Sequence, residues 1–195
     1  MKVLVILGHQ NTAETSFCHA IMQTVIDRLQ QNGHEVVSHD LYAEQFDPVL
    51  TQEELDEETP TDPALCQHLD QLPGADGYVM IHPNWWGQPP AILKGWIDRV
   101  IRQGAIYRFG PDGVSSTIAG RRALVVTTSN TPRDAEIELY GDPLENLWKN
   151  CVFGLCGITE FVRRNFESVI MSTPEQRDGW LADTQSLVDQ QFPAE

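Results

Sequence analysis

The sequence predicts an α/β protein built around one doubly wound parallel sheet, and three observations lead to this prediction. Short apolar runs at residues 3–7, 78–81 and 123–126 do not alternate with polar residues, as expected of strands covered by helices on both faces. The stretches between these runs carry apolar residues at helical spacing. Strands and helices that alternate along a chain in this way form right-handed βαβ units.

Two weaker strand candidates, at residues 35–38 and 160–166, bring the predicted sheet to about five strands. Five strands in 195 residues fit the flavodoxin-like order 2-1-3-4-5 better than a six-stranded dinucleotide-binding fold. Because this length suits one well-buried domain and is short for two, we expect residues 1–195 to form a single domain.

Helical periodicity predicts helices on both faces of this sheet. One apolar stripe covers residues 17–29 and ends at Asn32-Gly33, which is typical of a helix end. Another covers residues 92–101 and follows Pro89-Pro90, where a proline suits the first helical turn. The remaining helix candidates are residues 144–151 and 175–191.

Composition and charge limit the classes of function. A net charge of −15 argues against binding to nucleic acid or to an anionic membrane surface. No stretch approaches the roughly 20 apolar residues that span a bilayer, and the first apolar run is too short for a signal peptide core. The four cysteines have no metal-binding spacing, and Cys151 and Cys156 lie among apolar residues, which predicts buried thiols. We therefore expect a cytoplasmic protein without a bound metal.

Three loops are expected to converge at the carboxyl ends of the strands, where open α/β sheets bind ligands. The first, residues 8–15, leaves a strand and opens a helix, so its free N–H groups suit a phosphate. Thr15 and Ser16 add hydroxyl groups, and His9 adds an imidazole. The loop has neither the P-loop nor the Rossmann glycine pattern. The alternative is that Thr15 or Ser16 caps the helix and binds no ligand.

The second loop, residues 82–90, contains two adjacent tryptophans, Trp85 and Trp86, followed by Gly87. Neighbouring side chains diverge, so the core leaves one of the two indoles poorly covered, and a flat heteroaromatic cofactor explains this ring surface. The alternative is that the pair fills the end of the sheet or contacts another subunit. The third loop, residues 127–132, has small polar residues that can direct donors at a developing anion, or that can form an ordinary turn.

The second loop and the helix after it resemble the NAD(P)H:quinone oxidoreductase (DT-diaphorase) family. Residues 85–96 read WWGQPPAILKGW, where that family has W-[WF]-G-x-P-A-I-L-K-G-W. The pairs Gly8-His9 and Ser16-Phe17 resemble the phosphate loop of the family. The resemblance covers residues 1 to about 130 and is looser beyond them.

The resemblance implies a flavodoxin-like homodimer that binds a flavin, FMN with FAD as the alternative. It implies three groups of cofactor-binding residues. The phosphate region would contain His9, Ser16, Phe17 and Cys18. The ring would pack along Pro83, Asn84, Trp85, Trp86 and Gly87. The pyrimidine edge of the ring would face Thr127, Thr128, Ser129 and Asn130.

By the same resemblance, NAD(P)H would reduce the flavin and a quinone-like acceptor would then take two electrons in the same slot, giving ping-pong kinetics. Trp85, Trp86 and Tyr107 would form this slot, with Tyr107 and Phe109 reaching across the dimer. The chain departs from the family at Ser129-Asn130, where a smaller pair is usual, and at Phe109, which is often tyrosine. No proton donor is assigned.

Several alternatives remain open. The chain could be a one-electron carrier of the flavodoxin type, or an accessory subunit of a transporter. Residues 47–62, which are acidic, are expected to be a surface excursion and would be the docking face of such a subunit. Trp96 and the apolar stripe around it favour a dimer if they are exposed, but Trp96 can equally be core. Arg121, Arg122 and Arg133 are candidates for binding the 2′-phosphate of NADPH.

Overall fold

The computed structural model describes residues 1–10, 16–56 and 62–194. Its centre is a five-stranded parallel sheet, and an antiparallel hairpin lies outside this sheet. In chain order the strands are β1 (Lys2–Leu7), β2 (Glu35–Asp40), β3 (Gly77–Pro83), the hairpin strands β4 (Tyr107–Gly110) and β5 (Gly113–Ser116), β6 (Arg122–Thr128) and β7 (Glu160–Phe166). The sheet order β2-β1-β3-β6-β7 is the 2-1-3-4-5 order, so the predicted fold is confirmed.

Helices cover both faces of the sheet, as predicted. They are α1 (Phe17–Gln31), α2 (Gln52–Asp56), α3 (Pro63–Gly74), α4 (Ala91–Val100), α5 (Arg133–Glu138), α6 (Pro143–Asn146) and α7 (Pro174–Gln191). The helix predicted at residues 144–151 is α6 followed by a π-helix, Leu147–Gly154, and a 3-10 turn spans Val169–Met171. Helices α2, α3 and α5 and the hairpin were not predicted from the sequence.

Alternating residues of the buried strands face two separate hydrophobic layers. Leu4 and Ile6 of β1 belong to the layer with α3, α4 and the π-helix. Val3, Val5 and Leu7 belong to the layer with α1 and α7. Both faces are therefore buried, which explains why these strands carry no polar alternation.

The end of α7 closes the amino-terminal edge of the sheet. Phe192 is fully buried, and its ring occupies the space that a side chain on Gly77 would need. Its carbonyl oxygen accepts hydrogen bonds from Asn32 Nδ2 at 3.0 Å and His34 Nε2 at 3.1 Å. These contacts fix the last helix beneath the start of β3.

The structure changes two expectations about side-chain exposure, one for Cys151 and one for Trp96. Cys151, predicted to be buried, is exposed because it lies on the outer side of the π-helix, whereas Cys156 is buried as predicted. Trp96 is only 1% exposed and belongs to the core, so the apolar stripe of α4 faces inward. That stripe gives no argument for a dimer.

The described part of the acidic segment is exposed or half-buried, as expected of a surface excursion, except that one of its carboxylates is buried. Glu54 on α2 is buried and forms an ion pair with the buried Arg99 of α4, whose Nε lies 3.1 Å from each carboxylate oxygen. Asp62 pairs with the same guanidinium at 2.9 Å. This part of the chain is therefore anchored to α4. In the described residues, no helix has the length and apolar character needed to cross a bilayer.

Candidate active site

A cavity of about 620 Å³ lies where the three predicted loops meet, at the carboxyl ends of β1, β3 and β6. This volume is typical of small-molecule sites. Most of the predicted cofactor-binding residues line it: His9, Phe17, Cys18, Pro83, Asn84, Trp85, Trp86, Gly87, Thr128, Ser129 and Asn130. The sequence analysis missed other residues of the same wall: Gln10, Thr131, Glu136, Tyr140, Pro143 and Val169.

The two tryptophans stand on a tight turn. The turn is closed by hydrogen bonds between the backbones of Trp85 and Gln88, at 2.9 and 3.0 Å. Trp86 has a φ of 57° and Gly87 a φ of 71°, so two successive residues occupy the left-handed region. A tryptophan in this conformation is strained, and its indole is fully exposed to solvent at the cavity rim. Strain that exposes an apolar ring beside a cavity points to a binding role.

Asn84 holds this turn in place through three hydrogen bonds. Its backbone N–H donates to Thr128 O at 2.7 Å, and its side-chain Oδ1 accepts from Gly87 N at 2.9 Å. Its Nδ2 donates to Oε1 of Glu136 at 2.8 Å. Glu136 is 3% exposed, which places a buried carboxyl group in the cavity wall. The side chains of Asn84 and Glu136 thus connect the second loop to α5.

The predicted phosphate region contains a chain of hydrogen bonds that the sequence did not reveal. Ser16 is the N-cap of α1, and its side chain accepts from His19 N at 3.3 Å, so Ser16 caps the helix as one of the two interpretations predicted. His19 Nδ1 lies 2.7 Å from Ser16 Oγ, and its Nε2 lies 3.1 Å from Asp40 Oδ2. Burial and the neighbouring His19 lower the pKa of His9. Thr15, the other capping candidate, lies outside the described residues, and Ser16 is beside the cavity rather than in its wall.

The third loop presents fewer side chains to the cavity than the sequence suggested. Thr127 is fully buried and donates through Oγ1 to Asn165 Oδ1 at 2.8 Å, so its side chain points away from the cavity. Ser129 Oγ accepts from Thr131 N at 2.9 Å, and Asn130 Oδ1 accepts from Ile170 N at 3.0 Å. The side chains of Ser129 and Asn130 therefore bond to nearby backbone N–H groups. Their departure from the family motif leaves the cavity open.

Cys18 and Thr128 meet at the inner wall. Their Sγ and Oγ1 atoms lie 3.3 Å apart. Burial raises the pKa of Cys18 to about 12, although the hydrogen bond with Thr128 opposes the shift. The thiol is therefore neutral at physiological pH and serves as a wall atom rather than as a nucleophile.

Tyr107 and Phe109 lie away from the cavity within this chain. They stand on β4, where their rings meet edge to face with centroids 5.7 Å apart. Phe109 is 60% exposed, and Tyr107 lines a separate shallow depression with its hairpin neighbours. Their predicted part in a substrate slot requires a second copy of the chain.

Three potential metal ligands meet elsewhere, beneath β2. His39 Nδ1 lies 2.8 Å from Glu44 Oε1, and its Nε2 lies 2.6 Å from Gln71 Oε1. Burial opposes a charge on His39, but these two bonds outweigh it and hold its pKa above the usual value. His68 Nδ1 accepts from the indole of Trp96 at 3.3 Å, so its proton sits on Nε2. Neither imidazole then offers a lone pair toward Glu44, and an ion pair explains the cluster better than a metal site.

A smaller cavity of about 250 Å³ lies behind Glu136, which belongs to both cavity walls. Its arginines are paired with acids: Arg163 Nη1 lies 2.8 Å from Asp142, and Arg133 lies 3.4 Å from Glu167. Of the arginines considered for a 2′-phosphate, only Arg133 is at this end of the molecule. Arg121 and Arg122 lie at the opposite edge of the sheet, where they pair with Asp76 and Glu160.

Comparisons with known proteins agree with the fold. Residues 1–187 match the family model described as flavodoxin-like fold. An uncharacterized NAD(P)H oxidoreductase of Haemophilus influenzae is 32% identical over 163 residues, covering 81% of this chain and 79% of that protein. The FMN-dependent NADH:quinone oxidoreductase 2 of Clostridium acetobutylicum is 27% identical over 168 residues, covering 82% of each. The crystal structure of Smu.1420 from Streptococcus mutans has a TM-score of 0.86 and 31% identity, covering 97% of this chain and 100% of that one.

Proposed function

The chain belongs to the flavodoxin-like fold family, and from that premise we propose that it is a flavin-dependent NAD(P)H oxidoreductase that passes two electrons to a quinone or a similar small electrophile. The single observation that carries this proposal is the strained turn of Trp86 and Gly87, which presents an indole at the rim of the cavity at the strand ends. The names of the relatives, NAD(P)H oxidoreductase and NADH:quinone oxidoreductase, support the reaction class.

The residues of the cavity fit a flavin. The cavity is large enough for a tricyclic ring, and its wall combines aromatic surface with a few polar groups. Within the described part of the chain, the backbone N–H groups of Trp86 and Asn130 donate no hydrogen bond, so they are available to a ring with carbonyl and nitrogen acceptors. We propose FMN, with FAD as the alternative, because the Clostridium relative is named as FMN-dependent and the sequence has no evident adenine platform.

When bound, the flavin supplies the hydride chemistry, and the protein supplies position and electric field. Gly87 allows the turn to pack closely against Pro143 in the cavity wall, since a side chain there would collide with that proline. Asn84, held by Glu136, fixes the turn that carries both indoles. The Asn130 N–H would donate a hydrogen bond to the pyrimidine edge of a bound flavin and so stabilise negative charge there.

The simplest test is the absorption spectrum of the purified protein. We expect a yellow protein that bleaches when NADH or NADPH is added without oxygen, and whose colour returns with a quinone. Because both substrates would use one cavity, varying them together should give parallel double-reciprocal plots. A folded protein that remains colourless with FMN and with FAD would refute the proposal, and intersecting plots would refute the shared slot.

The two other functions considered from the sequence receive no support from the site. A one-electron carrier would accumulate a one-electron reduced flavin during photoreduction, whereas direct two-electron reduction is expected here. The acidic segment was considered as a docking face. Its Glu54 and Asp62 form ion pairs with Arg99 of α4, which neutralise part of its charge within the chain.

We also propose a homodimer and a cytoplasmic location. Several large apolar side chains near the cavity mouth are exposed, among them Trp86, Leu139, Tyr140 and Met171, and such a patch suits contact with a second copy. Light scattering tests this, and a monomer at micromolar concentration would count against it. No disulfide joins the cysteines of the described residues, which suits a reducing compartment.

A further inference from the structure

We propose that Glu136 delivers the proton that a quinone needs when it is reduced, and that the smaller cavity behind Glu136 supplies this proton from solvent. The inference rests on the proposed function, because it concerns the acceptor that enters the larger cavity. It adds to that function the proton donor, which the sequence left unassigned.

The balance of the reaction calls for one proton from outside the two substrates. A C–H bond of the nicotinamide breaks, and its hydride passes with two electrons, by way of the flavin, to the quinone. The quinone becomes a hydroquinone with two new O–H bonds, so it needs one proton in addition to the hydride. A cavity that shields the acceptor from water therefore requires a group in its wall that donates a proton.

Four side chains of the described cavity wall can exchange protons: His9, Cys18, Glu136 and Tyr140. Cys18 holds its proton too firmly, because burial raises its pKa to about 12. His9 belongs to the phosphate region, and burial together with His19 lowers its pKa, so it is neutral at pH 7. Tyr140 is 62% exposed at the cavity mouth. Glu136 is 3% exposed, and of these four it alone also borders the smaller cavity.

The carboxyl group of Glu136 is held next to the turn that carries both indoles. Its Oε1 accepts from Nδ2 of Asn84 at 2.8 Å, and Oδ1 of Asn84 accepts from Gly87 N at 2.9 Å. Among the described residues nothing donates to Oε2, and the buried side-chain atoms that lack a partner there are arginine nitrogens. Oε2 is therefore not sealed in the core, and it is free to exchange a proton in a cavity.

The smaller cavity provides a route from solvent to the back of Glu136. Its volume is about 250 Å³, and apart from Ile137 its lining side chains are polar or charged, so it is large and polar enough to hold several water molecules. Donors and acceptors both occur in this lining, as in the pair of Arg163 with Asp142. Arg133 and Ile137 are exposed, which opens the cavity to solvent.

Proton transfer from a carboxyl group to the reduced acceptor is favourable and fast enough for turnover. A hydroquinone is a phenol, and phenols hold their proton about six pH units more tightly than carboxylic acids do. After the transfer, the carboxylate takes up the next proton from water in the smaller cavity. At pH 7 a diffusion-limited uptake gives roughly 10²–10³ protons per second, which covers the turnover of ordinary enzymes.

The test follows the quinone step alone, by stopped flow. The flavin-loaded protein is reduced with one equivalent of NADH or NADPH without oxygen and then mixed with 1,4-benzoquinone, and the flavin absorbance gives the rate of reoxidation. In Glu136→Gln, which retains an acceptor for Asn84, this rate should fall by about tenfold or more. Acetate buffer at constant pH 6 supplies a small carboxylic acid, and it should raise the rate of the variant several-fold by replacing the missing proton donor.

Glu138→Gln is the matched control, because Glu138 is an exposed acid on the same helix, and its reoxidation rate should equal that of the native protein with and without acetate. Asn84→Ala controls for a structural role, since it loosens the turn but keeps the carboxyl group, so acetate should not raise its rate. A native rate in Glu136→Gln, or a slowed rate that acetate leaves unchanged, would overturn the inference. A protein that takes up no flavin, or whose reduced flavin no quinone reoxidises, would instead count against the proposed function.

Discussion

Trp148 donates the proton of its indole Nε1 to Nε2 of His82 across 2.9 Å, in the core just before the cavity-lining Pro83. An indole N–H can only donate, so Nε2 of His82 is an acceptor and the ring proton is on Nδ1, which donates to Pro83 O at 2.8 Å. His82 is fully buried and both of its nitrogens are satisfied in the neutral form. The second loop therefore begins at a histidine that is held uncharged.

Stability should fall steeply in mild acid. Burial lowers the pKa of His82 to about 4 and, together with the charge of His39, that of His68 to about 4. The unfolded chain binds these protons below about pH 6.5 and the folded chain only near pH 4, so unfolding takes up protons within this window. By pH 4, each histidine should lower the unfolding free energy by about 3 kcal/mol relative to neutral pH. Urea unfolding at pH 7.5, 6 and 5 measures the slope.

His68→Gln tests the assignment, because glutamine retains an acceptor for Trp96 and does not titrate. Between pH 6 and 5, the slope of unfolding free energy against pH gives the number of protons taken up on unfolding. In the variant this number should be smaller by about one. An unchanged slope would mean that His68 does not titrate in the way described.

His39 should act in the opposite direction at higher pH. Its raised pKa means that the ion pair with Glu44 stabilises the fold below about pH 6.5 and is lost as pH rises through the folded value. His39→Gln should remove this alkaline decline. It should also make the acid limb shallower, because the charge of His39 adds to burial in lowering the pKa of His68. The expected loss in the native protein is modest, because Glu44 is 39% exposed in its side chain. Thermal unfolding between pH 6.5 and 9 measures it.

Trp86→Asn should stabilise the protein and weaken ligand binding. Asparagine tolerates the left-handed conformation better than tryptophan, and the indole is fully exposed, so no core contact is lost. We expect a gain of about 0.5–1 kcal/mol in unfolding free energy for the flavin-free protein. The affinity for flavin or quinone should fall. A variant that is less stable without flavin would show that the turn is not strained.

Gly87→Ala should damage the site more than a comparable glycine elsewhere. Both Gly87 and Gly104 have positive φ values, 71° and 88°, so alanine costs about 1–2 kcal/mol at either position. Only at Gly87 would the new Cβ collide, 2.7 Å from Cγ of Pro143, whereas nothing lies within 4 Å at Gly104. Flavin titration should show weaker binding for Gly87→Ala and native affinity for Gly104→Ala. Equal flavin affinities of the two variants would show that Gly87 does not contribute to flavin binding.

Asn84→Asp should make flavin binding sensitive to pH. The new carboxylate would face Oε1 of Glu136 across a contact that is now 2.8 Å, and two carboxylates this close repel when both are ionised. Affinity should decrease as pH rises from 5 to 8. Asn84→Ala, which lacks the second charge, should bind more weakly at every pH without this dependence.

The sequence predicted the parts of the fold that depend on local pattern. The strands were recognisable because burial on both faces leaves continuous apolar runs, and α1 and α4 because one face of each is apolar. Helix α3 was missed although Asp62 caps it and Pro63 opens it, both of which are readable start signals. Cys151 was misjudged because apolar neighbours in sequence need not be neighbours in space.

The site was predictable where its residues follow a strand directly, or where they lie in a stretch that resembles the family, as Phe17 and Cys18 do. Trp85, Trp86 and Gly87 were found because they stand in the loop after β3. Glu136 was not, since it meets Asn84 across 52 positions of sequence and lies on a six-residue helix too short to show a period. Thr127 shows the converse, because it is the last residue but one of β6 and strand pleating turns its side chain into the core.

Phe192, which is buried beneath the start of β3, determines how the protein can be attached to an electrode surface. Residues after it leave from the amino-terminal edge of the sheet, about 20 Å from the cavity by the rise of a six- to seven-residue strand. A linker fused there would hold the protein on an electrode with its cavity turned toward the solution. Dissolved quinones would reach the cavity freely. Electrons from the electrode would have to cross the full length of the strands to reach it.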